Sequence, residues 1–392
     1  MEQTKIYRDR NFQIACGASL MVMMMAAIIV PAFPKMVEAL NVPEQSIGLL
    51  ITVLTFPQFL FAPLGGILAD RLGRKRVLVT SLFLNGLFGG GCALAPNFNI
   101  LLILRVLQGI GAAPLMNVAS AIIGDIFSGQ RRAEAMAINT TVMYVGYIVY
   151  PVLGGALAGI AWNYAFLPYA IAIPLGLIAI IFLRCPEPQS EQGLKDYLLD
   201  ALRYLKSLKV LWLFSATVIT YILLYGAYLV NFSLLLGSRF HASPFTIGLF
   251  ISILGVITAI TAYQVGRLSQ RFSVVSLIIG SFAIYALAVA IIPVSPNLWL
   301  CLLPTIIFGI AHGLTLPSQR VIAASITPLE HRASFMSIQG TMIMLGMTIG
   351  PPIMGLVLSF TSLNVTFLIA ALIALIIPIM SLIIGKEKLS AT

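Results

Sequence analysis

Charge is what this sequence has least of. Only 9% of its 392 residues are charged, where soluble domains carry about a quarter. Such a chain, 59% hydrophobic with a mean hydropathy of +1.01, cannot be a soluble globular domain. Cysteine and histidine are scarce as well. Cys16, Cys92 and Cys301 sit in apolar runs and Cys185 at the end of one, so neither a disulfide framework nor a metal cluster is spelled out, and the four read as packing residues. His241, His312 and His331 are scattered, and no nucleophile elbow, phosphate loop or metal-ligand spacing appears, which argues against an enzyme and implies no cofactor. None of the 13 carboxylates lies inside an apolar run.

What is present is a series of apolar runs, each long enough to cross a hydrocarbon core of about 30 Å as a helix. Twelve are recognised, near 11–33, 45–69, 77–95, 98–124, 135–158, 161–183, 210–236, 245–265, 272–292, 298–322, 334–358 and 364–385. The first follows basic residues as a signal peptide does, but it is too long and lacks a small-x-small cleavage site, so it is expected to remain as a span. The net charge of +10 reports topology rather than a nucleic-acid partner. With the N-terminus inside, 19 of the 23 Lys and Arg fall in inner segments, only Lys35 and Arg239 fall outside, and Arg105 and Arg320 lie within spans. The positive-inside rule therefore predicts cytoplasmic termini.

The chain repeats itself at an offset of 200 residues. SIGLLITVL from Ser46 lies over TIGLFISIL from Thr246, Pro96 and Asn97 over Pro296 and Asn297, and Gly146, Pro151 and Gly155 over Gly346, Pro351 and Gly355. Six spans per half is an even number, so the halves enter the membrane from the same side and are related by an axis along its normal. The expected organisation is a six-helix bundle over 1–184, a linker over 185–209 and a second bundle over 210–392. Leu194, Leu198, Leu202 and Leu205 share one helical face in the linker. Either an amphipathic helix on the inner leaflet or an ordinary solvated segment fits that stripe.

The stretch GGILADRLGRKRVL resembles the cytoplasmic loop signature of the major facilitator superfamily, through Gly66, Leu68, Ala69, Asp70, Arg71, Gly73, Arg74, Lys75 and Leu78. LLILRVLQGIGAA is similar to the family's fourth-span pattern through Arg105, Gln108, Gly109 and Gly111. The resemblance covers essentially the whole chain and implies an all-α integral membrane fold of two pseudo-symmetric six-helix bundles. On physical grounds, Asp70 can face the positive N-terminal end of the span beginning near Ser334. Arg71 or Arg74 can pair with Asp125, forming a charged cytoplasmic latch whose elements separate when the inside opens. Gln270 replaces the acid in the second half, so its latch is expected to be weaker.

The family's antiporter pattern is present as Gly146, Pro151, Gly154 and Gly155, with Tyr150 in a glycine place; Gly346, Gly350, Pro351 and Gly355 are its second-half counterpart. Small residues permit close helix packing and proline bends a helix. The resemblance places spans one, four, seven and ten around a central cavity. Candidate lining residues are Met21, Met25, Arg105, Gln108, Tyr221, Tyr225, Tyr228, Asn231, His312 and Gln319. For Arg105, substrate contact and a structural hydrogen-bond hub both remain open; Arg320, nearer the cytoplasm, is read as snorkelling. With no carboxylate in the spans, a neutral, zwitterionic or anionic amphiphile is a better expected cargo than a strong cation.

Together these readings describe a monomeric, multi-pass exporter in a bacterial inner membrane. Its partners are the lipid bilayer, a small lipophilic or amphipathic substrate and protons. A metabolite or sugar exporter of the same superfamily is the alternative, and a membrane sensor or enzyme the rival class. His312 and Asp125 are the candidates for proton carriage, with a histidine that only hydrogen-bonds a neighbouring helix as the other reading of His312.

Overall fold

In a computed structural model, residues 6–185, 207–326 and 332–385 are described, with the side chains of 62–68, 70 and 332–334 outside the description. Twelve membrane-length helical segments are found among them. They are α1 (Arg10–Leu40), α2 (Leu49–Leu72), α3 (Arg74–Leu94), α4 (Phe98–Ile126), α5 (Gly129–Ile160) and α6 (Trp162–Phe182). The second half follows with α7 (Leu208–Phe240), α8 (Pro244–Leu268), α9 (Val274–Val294), α10 (Trp299–Ile326), α11 (Arg332–Phe360) and α12 (Leu363–Ile384). No strand occurs among the described residues. The expected linker at 185–209 falls almost wholly outside them.

Several helices outrun the apolar stretches that announce them, because polar residues continue the helix beyond the hydrocarbon. The longest extensions are at the end of α1, where PKMVEAL follows the apolar run, and at the start of α5, where GQRRAE precedes it. Where the chain turns, the repeat has a local cause. Pro96 and Pro296 end one segment, and the side chains of Asn97 and Asn297 then accept the free N–H groups of Ile100 and Leu300, each at 3.0 Å. An asparagine in this place satisfies a donor that the first helical turn otherwise leaves unpaired.

α1 to α6 form one bundle and α7 to α12 the other, and they meet along α2 with α11 and α5 with α8. The start of α1 and the end of α12 share one end of the molecule, the terminal end; the opposite, far end holds the turns after α1, α3, α5, α7, α9 and α11. At the far end the two cations that the charge pattern left outside are both occupied. Lys35 donates to the carbonyls of Ala158 and Gly159 (3.2 and 3.0 Å), and Arg239 to that of Pro293 (2.9 Å). Each places positive charge on carbonyls at the end of a helical segment, where the backbone dipoles favour it.

Candidate functional site

Between the bundles lies a cavity of about 340 Å³, within the size range of small-molecule sites. About half of its wall follows the 200-residue repeat. Met25 and Tyr225, Gln58 and Thr258, Ala112 and His312, Met116 and Leu316 all line it, as do Thr140 and Gly340, Met143 and Ile343, Tyr144 and Met344, Tyr147 and Met347. A cavity lined by eight matched pairs sits on the pseudo-two-fold axis. Seven methionines contribute flexible, polarisable surface: Met23, Met25, Met116, Met143, Met336, Met344 and Met347. No Asp or Glu lines the cavity among the described residues.

Of the ten residues expected in the cavity, Met25, Tyr221, Tyr225 and His312 line it; Met21, Arg105, Gln108, Tyr228, Asn231 and Gln319 lie outside its lining. The division on α7 has a geometric cause. From Leu223 to Phe232 this helix widens into π geometry, whose i→i+5 hydrogen bonds add residues to each turn. Side chains three and four apart no longer superpose, so Tyr225 stays in the wall while Tyr228 turns away and donates to Thr305 (2.9 Å). The Tyr228 ring packs on Phe308, centroids 4.6 Å apart. Gln319 reaches sideways from α10 to α7, donating to Thr220 at 3.1 Å.

His312 is almost fully buried in the wall. Its Nδ1 meets the Tyr285 hydroxyl at 2.6 Å, which leaves Nε2 as the ring nitrogen for the cavity. Arg320, two turns along the same helix, also lines the cavity, and it is exposed. It therefore stands between the bundles rather than reaching out past lipid, as the snorkelling reading required. Gln58, Asn117, Tyr144 and Tyr147 are further lining residues that motif reasoning passed over. The signal for the two tyrosines was the repeat, which sets them opposite Met344 and Met347.

Arg105 is a hub behind the wall. Fully buried, it donates to the carbonyls of Leu50 (3.2 Å) and Met25 (2.9 Å), to the Gln108 side chain (2.8 Å) and to the Tyr169 hydroxyl (3.4 Å). Gln108 passes the chain on to Asn85 at 2.9 Å. The Met25 carbonyl is available because α1 breaks into turns just beyond Ala27. The guanidinium is thus solvated by dipoles from four spans, with further contact from the faces of Phe166 and Tyr169. Met25 connects hub and cavity, since its carbonyl serves Arg105 while its sulfur accepts from Gln58 at 3.4 Å.

At the terminal end Arg74 forms an ion pair with Asp125 and donates to the carbonyl of Ala121 (2.9 Å). Both partners belong to the first bundle, so the pair braces α3 against α4 rather than tying one bundle to the other, and Asp125 is not in the cavity lining. Gly73 takes φ of +90° between α2 and α3, a conformation that suits glycine. Arg71 is exposed. The side chains of Gly66 and Asp70 lie outside the described residues.

The far end of the cavity is closed by backbone contact. Gly48 packs on Pro351, where an added Cβ would stand 2.8 Å from the proline Cβ, and its repeat counterpart Gly248 packs on the carbonyl of Pro151. Gly155 faces the carbonyl of Pro244, and Gly355 that of Gln45. Thr52 donates to the Thr348 carbonyl (3.1 Å), Thr348 to Thr55 (3.0 Å) and Ser252 to the Ile148 carbonyl (2.5 Å). Gly146, Gly346 and Gly350 serve within bundles, on Leu20, Val218 and Ile222, and the Tyr150 ring lies back over Gly146. Toward the terminal end the cavity wall includes the exposed Arg320 and Met336.

The family model of the Major Facilitator Superfamily matches residues 15–236 and 217–391. The quinolone resistance protein NorA of Staphylococcus aureus (strain Mu50 / ATCC 700699) is 25% identical over 338 residues, 84% of each chain. The multidrug transporter protein MdtP of Bacillus subtilis (strain 168) is 32% identical over 157 residues, which is 40% of this chain and 28% of that one. Among solved structures, a bacterial homologue of the human lysosomal transporter Spinster, in an inward-facing and occupied conformation, superimposes with a TM-score of 0.80 at 17% identity, covering 97% of both chains.

Proposed function

The chain belongs to the Major Facilitator Superfamily, and from that premise we propose that it is a proton-driven exporter of small amphipathic organic compounds, resident in a bacterial plasma membrane with cytoplasmic termini. The observation that carries the reading is the cavity on the repeat axis, walled by both bundles and closed at the far end. Rocking the bundles about such a site exposes it first to one side and then to the other. The relationship to NorA and MdtP supports organic cargo and outward transport. Methionine and tyrosine walls suit varied apolar bodies, because thioethers adapt their shape and phenols offer a hydroxyl at the edge of an apolar face.

Proton coupling is assigned to His312. It is the titratable imidazole in the cavity lining, whereas Asp125 is engaged by Arg74 away from it. Protonation of His312 on the outside and release on the inside would couple the bundles' rocking to the proton gradient.

Everted vesicles containing only this protein, loaded by an imposed pH gradient and assayed with a panel of fluorescent amphiphiles, test both parts. Gradient-dependent uptake is expected for the native protein and for Asp125→Asn, and loss of gradient dependence for His312→Gln. Uptake of no compound across the panel contradicts export. Full gradient dependence in His312→Gln, with loss in Asp125→Asn, moves the proton site to the α3–α4 brace.

A further inference from the structure

Eight matched pairs make up about half of the cavity's lining; outside those pairs, among the described residues, Arg320 is the lining residue that carries a full charge. Its counterpart in the first bundle is Ser120, which does not line the cavity. On α10, His312, Leu316 and Arg320 follow one another at four-residue intervals, so they share a helical face, and all three line the cavity. Among the described residues the guanidinium of Arg320 makes no hydrogen bond and no ion pair, and no carboxylate stands in the wall to neutralise it. Arg105 is the internal contrast: its donors are taken up by four spans and its charge is held away from the cavity.

The surroundings of Arg320 suit one kind of ligand. Tyr221 lines the same cavity and stacks on Tyr225, ring centroids 6.2 Å apart. Tyr147, across the interface between the bundles, has a hydroxyl without a hydrogen-bond partner. Resting on the reading of this cavity as the transport site, we infer that Arg320 is an anion anchor and that the cavity takes aromatic monoanions, a carboxylate or sulfonate on a flat ring system, in preference to neutral or cationic analogues. The planar fork of a guanidinium matches an oxyanion with two parallel hydrogen bonds. Stacked phenols accept the flat ring beside it, and the methionines fill around it. A cation in the same place meets like charge with no acid to offset it.

The test is equilibrium binding to the purified protein of three ligands with one ring system: 2-naphthoate, 2-naphthamide and 2-naphthylmethylammonium. The native protein is expected to bind naphthoate at least about tenfold more tightly than the amide, and the ammonium more weakly still. Arg320→Gln removes the preference, bringing naphthoate down to the amide's level; Arg320→Lys, which keeps the charge and loses the fork, retains part of it. The inference is overturned if naphthoate binds no better than the amide, if none of the three binds, or if Arg320→Gln keeps the native order. Naphthoate selectivity that depends on Arg320 without outward flux in vesicles contradicts the exporter reading and leaves the anchor standing. Flux that proceeds with no dependence on Arg320 does the reverse.

Discussion

Two arginines lie inside spans, and their fates differ by which way each helix faces. Arg105 is consumed by structure: its donors hold the Met25 carbonyl of α1, the Leu50 carbonyl of α2 and the Tyr169 hydroxyl of α6 to α4. Arg105→Leu leaves those acceptors without a donor in hydrocarbon, and a loss of about 2–4 kcal/mol is expected. Arg105→Lys should recover little, because one ammonium cannot span acceptors placed around a planar fork. Thermal melting in detergent checks this, with Arg320→Gln as the contrast, expected to melt like the native protein. Melting of Arg105→Leu at the native temperature would refute the hub. Hydropathy and motif spacing located both arginines, but only packing decides that one is spent on backbone and the other left facing the cavity.

At the scale of the helix, α7 carries the largest difference between pattern and structure. Tyr221, Tyr225, Tyr228 and Asn231 share a face on an α-helix, but the π segment from Leu223 separates them. No residue pattern announces such a widening, since it is set by the neighbours that the helix packs against. The Gly and Pro repeats were legible as an alignment, yet the alignment does not say which glycine meets which proline. The contacts pair Gly48 with Pro351 and Gly248 with Pro151, crossing between the bundles twice by the same rule. A side chain at either glycine wedges the far end apart. Gly48→Leu and Gly248→Leu are both expected to shift the population toward a far-end-open state, read as increased reactivity of a Thr52→Cys reporter in α2 to a membrane-impermeant thiol reagent. Unchanged reactivity in both variants would show that these contacts do not hold the far end closed.

At the scale of the whole molecule, fold and symmetry were largely open to reading, because twelve apolar runs and a constant offset are properties of the chain itself. The cavity was less so: its membership follows helix phase, and the sides of α5 and α11 that line it hold methionine and tyrosine, types equally at home in packing. Transport through that cavity requires the two bundles to rock about it. Pseudo-symmetric label pairs report it directly: Leu94 with Val294 at the far end, and Leu72 with Phe272 at the terminal end, all well exposed. Cysteines at these positions can be spin-labelled after Cys185→Ser, with Cys16, Cys92 and Cys301 buried. The Cys185 thiol is itself a slow competitor, since burial pushes its pKa up against the pull of Arg74 and Lys75. Electron–electron distance measurements with and without a transported ligand, at low and at neutral pH, should show the two pairs changing in opposite senses, the far end lengthening as the terminal end shortens. Distances that stay fixed, or that lengthen and shorten together, would contradict alternating access through this cavity.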